Sequence, residues 1–141
     1  MHSLVHLLSV GGVLVVTVAV GVCVHELLHV LPLSFTDAEY AVTLFPSDGE
    51  SAFQNALTGS LVRVEVTDLP DATPEWLVRG AALAPLALAL PLALVAVGVL
   101  PNPVATGDQL GTVALLAVTG CGLPSPADWS VVWHGSELAE D

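Results

Sequence analysis

The chain contains His25-Glu26-Leu27-Leu28-His29, two imidazoles four positions apart with a carboxylate beside the first. Residues four apart on a helix share one face, so both rings can reach a single Zn²⁺ while Glu26 acts on water at the metal. The chemistry this predicts is hydrolysis with Glu26 as general base. With five His in the chain, random placement would produce the pattern in about one chain in a hundred of this composition. Its position adds weight, because Val30, Leu31 and Leu33 continue an apolar run past the motif. An ionisable residue in such a helix is costly and marks function.

A second pair with the same spacing, His2 and His6, lies on the same predicted helix. It is some nineteen residues from His25, about 28 Å along the axis. That distance assigns it to the other membrane face, facing water. Asp37 and Glu39 follow the motif closely, but in a polar stretch where solvated acids are the expected reading.

The elements that must hold the motif are defined by where charge is missing. Of 141 residues 54% are apolar and 11% charged, with 14 acidic residues against Arg63, Arg79 and no lysine, a net charge of −12. Mean hydropathy is +0.80. The apolar excess rules out a disordered tail, and two arginines cannot neutralise a nucleic-acid backbone, so no nucleic-acid partner is expected. A disulfide scaffold is excluded as well, since Cys23 and Cys121 both sit in apolar runs as small buried hydrophobes. Strong acidity reads as solubility in high salt.

Asp, Glu, Lys and Arg are absent from 1–25, from 80–107 and from 109–127, and about twenty apolar residues cross a bilayer core as a helix. The spacing predicts an all-α membrane protein of one domain, 1–141, with three transmembrane helices at about 4–31, 77–100 and 109–134. The third is broken near 122–126 by Gly122, Pro124 and Pro126, which is tolerated where freed backbone groups face protein or water. The apolar N-terminus lacks the basic region and cleavage site of a secretory signal. The Ala/Leu run from Ala81 to Leu94 reads as lipid-facing packing with bends at Pro85 and Pro91.

Between the first two helices, the loop 32–76 holds eight acids and two strand-like pieces, 40–45 and 61–67. The second alternates Val62, Val64, Val66 with Arg63, Glu65, Thr67, as in a small hairpin or sheet. Ser47-Asp48-Gly49 and Thr58-Gly59-Ser60 supply turns, and Phe53 to Leu57 a short helical turn. Both arginines fall in or beside this loop, so the positive-inside bias predicts an integral protein of the cell membrane with 32–76 in the cytoplasm. A short acidic tail, 135–141, closes the chain.

With the HExxH helix, the polar β-containing excursion, the second helix and the interrupted third, the chain resembles the site-2 protease type of intramembrane zinc metalloprotease and the small zincin membrane peptidases. In that family a late Asp supplies the third zinc ligand. The resemblance implies that role for Asp128 in Pro126-Ala127-Asp128-Trp129, although the family's Leu-Asp-Gly is absent here and Asn102-Pro103 lies before the third helix rather than beside the Asp. Depth agrees. His29 is about 5 Å from the inner end of helix one and Asp128 about 9 Å from the end of helix three, if both run the same way.

Ser125-Pro126-Ala127-Asp128 also reads as a helix start, with a serine cap, a first-turn proline and an acidic capping partner. His134 is the competing third ligand. The expected partners are the lipid bilayer and a membrane protein or peptide substrate, which the strands could bind by edge pairing as proposed for site-2 proteases. The other readings are a catalytically inactive scaffold, a zinc-sensing pseudoprotease, or one half of a transporter.

Overall fold

A computed structural model describes residues 2–36 and 73–134 and the backbone of 39–44 and 62–68. The expected turns at 47–49 and 58–60, the helical turn at 53–57, Asp37 and the acidic tail 135–141 lie outside the described residues.

Helix α1, His2–Leu33, follows from an unbroken apolar run with no charge before Glu26. Apolar side chains project all round it, with Leu4, Leu7, Val15 and Val20 all exposed. A helix apolar on every face belongs in lipid or a deep core. β1, Glu39–Leu44, pairs antiparallel with β2, Val62–Asp68, setting Tyr40 opposite Val66 and Leu44 opposite Val62, with an irregularity at Glu39/Tyr40.

The second span is not a uniform helix. It comprises α2, Glu75–Leu83, a 3₁₀ segment, Ala84–Ala89, and α3, Leu90–Ala96. Pro85 and Pro91 each fall within the first two positions of the segment that follows. Neither can donate the backbone bond that would continue the preceding α-helix, so the chain tightens between them. The span ends at Ala96, short of the expected residue 100. Gly98 (φ 77°) reverses the chain, and the amides of Val99 and Leu100 both return to the Leu94 carbonyl.

A four-residue helix, α4, Pro103–Thr106, occupies what the sequence suggests is loop. Asn102 caps it, its side chain accepting from the amides of Val104 and Ala105. Asp108 then caps α5, Gln109–Cys121, by accepting from the Gly111 amide. α6, Pro126–His134, continues after the expected interruption at a bend of 40°.

The helices therefore provide two candidate membrane spans, Ser3–Leu33 and Glu75–Ala96, or three if α5 and α6 form one bent span. α1 and α5 run parallel. The His6 ring meets the Gln109 side chain at one end, and Cys121 Sγ lies 3.8 Å from the Val18 carbonyl further along. Gly21 permits this approach, because a Cβ there would stand 2.7 Å from Cys121 Sγ. Among the described residues, the buried apolar side chains Val30, Leu33, Ala81, Ala82 and Pro85 gather at the end where α1 stops and α2 begins. Ala81 and Ala82 thus face protein, contrary to the lipid-facing reading of the Ala/Leu run.

Candidate metal centre

His25 and His29 leave α1 on one face, as their spacing requires. Each ring is fixed from behind by a backbone carbonyl on a different element. His25 Nδ1 is 2.6 Å from the carbonyl oxygen of Cys121, at the end of α5. His29 Nδ1 is 2.8 Å from that of Ala81 in α2. A carbonyl can only accept, so Nδ1 carries the hydrogen in both rings. In the neutral rings both Nε2 atoms are then lone-pair acceptors, and they lie 3.3 Å apart.

The third member comes from α6. Asp128 Oδ1 lies 3.2 Å from His29 Nε2 and Asp128 Oδ2 lies 3.6 Å from His25 Nε2. Side-chain exposure is 12%, 17% and 11% for His25, His29 and Asp128, so little water is available to satisfy these atoms. Asp128 is the one buried charged residue among the described residues.

The cap reading of Asp128 is observed, and it leaves the carboxylate beside the two rings. Its Oδ2 accepts from the Ser125 amide at 2.6 Å, while its own amide donates to Ser125 Oγ at 3.2 Å, the reciprocal pattern of a capping box. Oδ1 is left facing His29. The helix start thereby fixes the direction of the carboxylate.

With both rings neutral these atoms are acceptors with no donor among them, a condition that a metal cation or a proton relieves. A tetrahedral centre with metal–nitrogen bonds of 2.0–2.1 Å has ligand atoms about 3.3 Å apart; the two Nε2 atoms are 3.3 Å apart, and with one Asp128 oxygen the three atoms lie within 4.8 Å of one another. His25, His29 and Asp128 form a group able to hold a metal ion. Backbone carbonyls behind the imidazoles supply the support that metal-binding histidines ordinarily have.

Glu26 is partly buried on α1, close enough to interact electrostatically with His25, His29 and Asp128. His134 is exposed at the end of α6 and stands outside the group. Of Glu39 only the backbone, in β1, is described. His6 is exposed at the far end of α1 with Gln109 as partner, and Cys23 and Cys121 are free thiols.

The motif did not disclose the carbonyls of Cys121 and Ala81. Every residue offers a carbonyl, so no residue type announces this role. The faint signal is Gly122, buried just after Cys121, where a Cβ would stand 2.9 Å from both Leu88 Cβ and the Pro85 carbonyl oxygen. Only glycine lets α5 end this close to the 3₁₀ segment.

Compared with protein-family models, curated proteins and solved structures, the chain matches none.

Proposed function

We propose that the protein is a membrane-embedded zinc metallopeptidase that hydrolyses peptide bonds of membrane-associated substrates. The reading rests on both Nε2 atoms and one Asp128 oxygen lying within 4.8 Å of one another, on side chains that are each hydrogen-bonded to backbone. His25, His29 and Asp128 would hold the ion, and three protein ligands leave a position open, as catalytic rather than structural zinc sites do. Bound there, Zn²⁺ supplies Lewis acidity that polarises a carbonyl and acidifies water.

The chain's own groups do the rest. Glu26, next to the first ligand, takes the proton of the attacking water and returns it to the leaving amine. The Cys121 and Ala81 carbonyls keep each imidazole in the tautomer that presents Nε2. Water would have to reach the centre past the break after Cys121, where the third helix is interrupted. The likeness to site-2 proteases noted in the sequence supports the same assignment, with Asp128 as third ligand.

The deciding experiment measures zinc content and cleavage together. Purified protein should carry about one equivalent of zinc, as a three-ligand site implies. A Glu26→Gln variant should keep the metal and lose cleavage of a membrane peptide by about a hundredfold or more, the usual contribution of a general base. A protein without zinc, or a Glu26→Gln variant as active as the parent, overturns the proposal. Rescue of a deletion phenotype by Glu26→Ala favours an inactive scaffold or zinc sensor.

A further inference from the structure

The surroundings of the metal group mark its depth in the membrane. Along α1, His25 stands 21 positions after Leu4, about 32 Å of helix against a hydrocarbon core of about 30 Å. If the apolar run enters lipid at its first large side chains, it has crossed by the time it reaches the motif. α2 gives the same level independently. Its first turns carry Glu75 and Arg79, paired across one turn and each about half exposed. Ala81, whose carbonyl holds His29, comes only two residues later, about 3 Å of rise. An arginine that sets its charge in the headgroup layer leaves Ala81 just beneath it.

The aromatic residues agree. All three tryptophans lie at this end: Trp76 opens α2 at 71% exposure, Trp129 adjoins Asp128, and Trp133 is one turn further at 70% exposure. Trp129 and Trp133 stack, and Phe35 is exposed just beyond α1. Tryptophan collects at the membrane–water boundary, where one ring meets both media. The opposite end of the bundle, with His6, Gln109 and Asp108, carries no tryptophan.

We infer that the His25, His29 and Asp128 group sits at the membrane–water boundary of this face rather than in the hydrocarbon, and that its substrate is a juxtamembrane peptide segment. The substrate half rests on the peptidase reading; the depth does not. A segment in the headgroup layer can expose an extended backbone to the metal group while water satisfies its free amides and carbonyls. The middle of a transmembrane helix has no such replacement for the bonds it would break.

The test uses the whole protein in phosphatidylcholine vesicles whose acyl chains carry bromine near the headgroup, at mid-chain or near the chain end. Tryptophan emission should be quenched most by bromine near the headgroup; strongest quenching from the chain end overturns the depth. Zinc-loaded protein is then given two membrane polypeptides with the same cleavable segment, placed beside the headgroups in one and at mid-span in the other. Cutting of the first alone is the expected result, and cutting at mid-span overturns the substrate class. If neither is cut while quenching is shallow, the depth is supported, and the peptidase reading and the substrate class built on it fall together.

Discussion

α1 carries the spacing His-x-x-x-His twice, as His2/His6 at its start and His25/His29 near its end. The helical spacing that puts two positions on one face is common to both. What differs is the neighbourhood. At the first end, the exposed His6 ring donates to the side-chain oxygen of Gln109, a neutral amide. At the other end, two carbonyls fix the rings from behind and a buried carboxylate faces their Nε2 atoms. Spacing alone aligns two positions, and a carboxylate brought within reach of both Nε2 atoms makes a group that could hold a metal ion.

The strongest way to break the contrast is to remove a ligand. His25→Ala or His29→Ala should lower zinc affinity by more than about a hundredfold, because altering only the groups behind metal ligands costs about 10- to 100-fold. His6→Ala should leave zinc affinity within about twofold, as an exposed residue with no metal role. Titration against a competing chelator checks both, and equal losses at the two ends would erase the distinction.

Asp128→Asn tests the third member. The amide retains an oxygen for the Ser125 amide but removes the negative charge, so helix content by circular dichroism should hold while zinc affinity falls about 10- to 100-fold or more. A variant that binds zinc as tightly as the parent would reduce Asp128 to a cap. His134→Ala should leave affinity unchanged, and a large loss there would favour His134 as the third ligand.

A finer test moves a ring without touching a ligand. Gly122→Ala forces apart α5 and the 3₁₀ segment, shifting the Cys121 carbonyl that holds His25, and should weaken zinc binding by about tenfold. Gly120→Ala, with nothing within 4 Å of the added methyl, should leave binding as it is. Acidification tests the imidazoles themselves. Protons compete for the same Nε2 lone pairs, so zinc affinity should fall as the pH is lowered, and a flat profile would argue against imidazole ligation.

Much of the helical framework could be read from the sequence because charge is excluded from hydrocarbon. The three gaps in Asp, Glu, Lys and Arg coincide with α1, with the run from α2 to α3, and with the pair α5 and α6. The prolines and Gly122 located the interruption of the last. Less visible was the inside of the second span, where Pro85 and Pro91 produce a 3₁₀ segment rather than a bent α-helix, and α4, whose start depends on one Asn102 side chain. Local capping and missing amides decide such details, and average hydropathy is insensitive to both.

For the site, sequence alone determined that His25 and His29 share a face with Glu26 beside the first: helical periodicity is local, and two residues four apart on one helix need no other part of the chain to align. It also limited the acids that might join them, since few lie in apolar surroundings. Tertiary structure decided which acid arrives, which of its oxygens is free, and which ring nitrogen each histidine presents. Those outcomes depend on elements nearly a hundred residues apart, α1 against α5 and α6, meeting through close packing at Gly21 and Gly122. A carbonyl becomes a ligand's anchor only where the fold brings it within hydrogen-bond reach, and that distance is a property of the packed bundle.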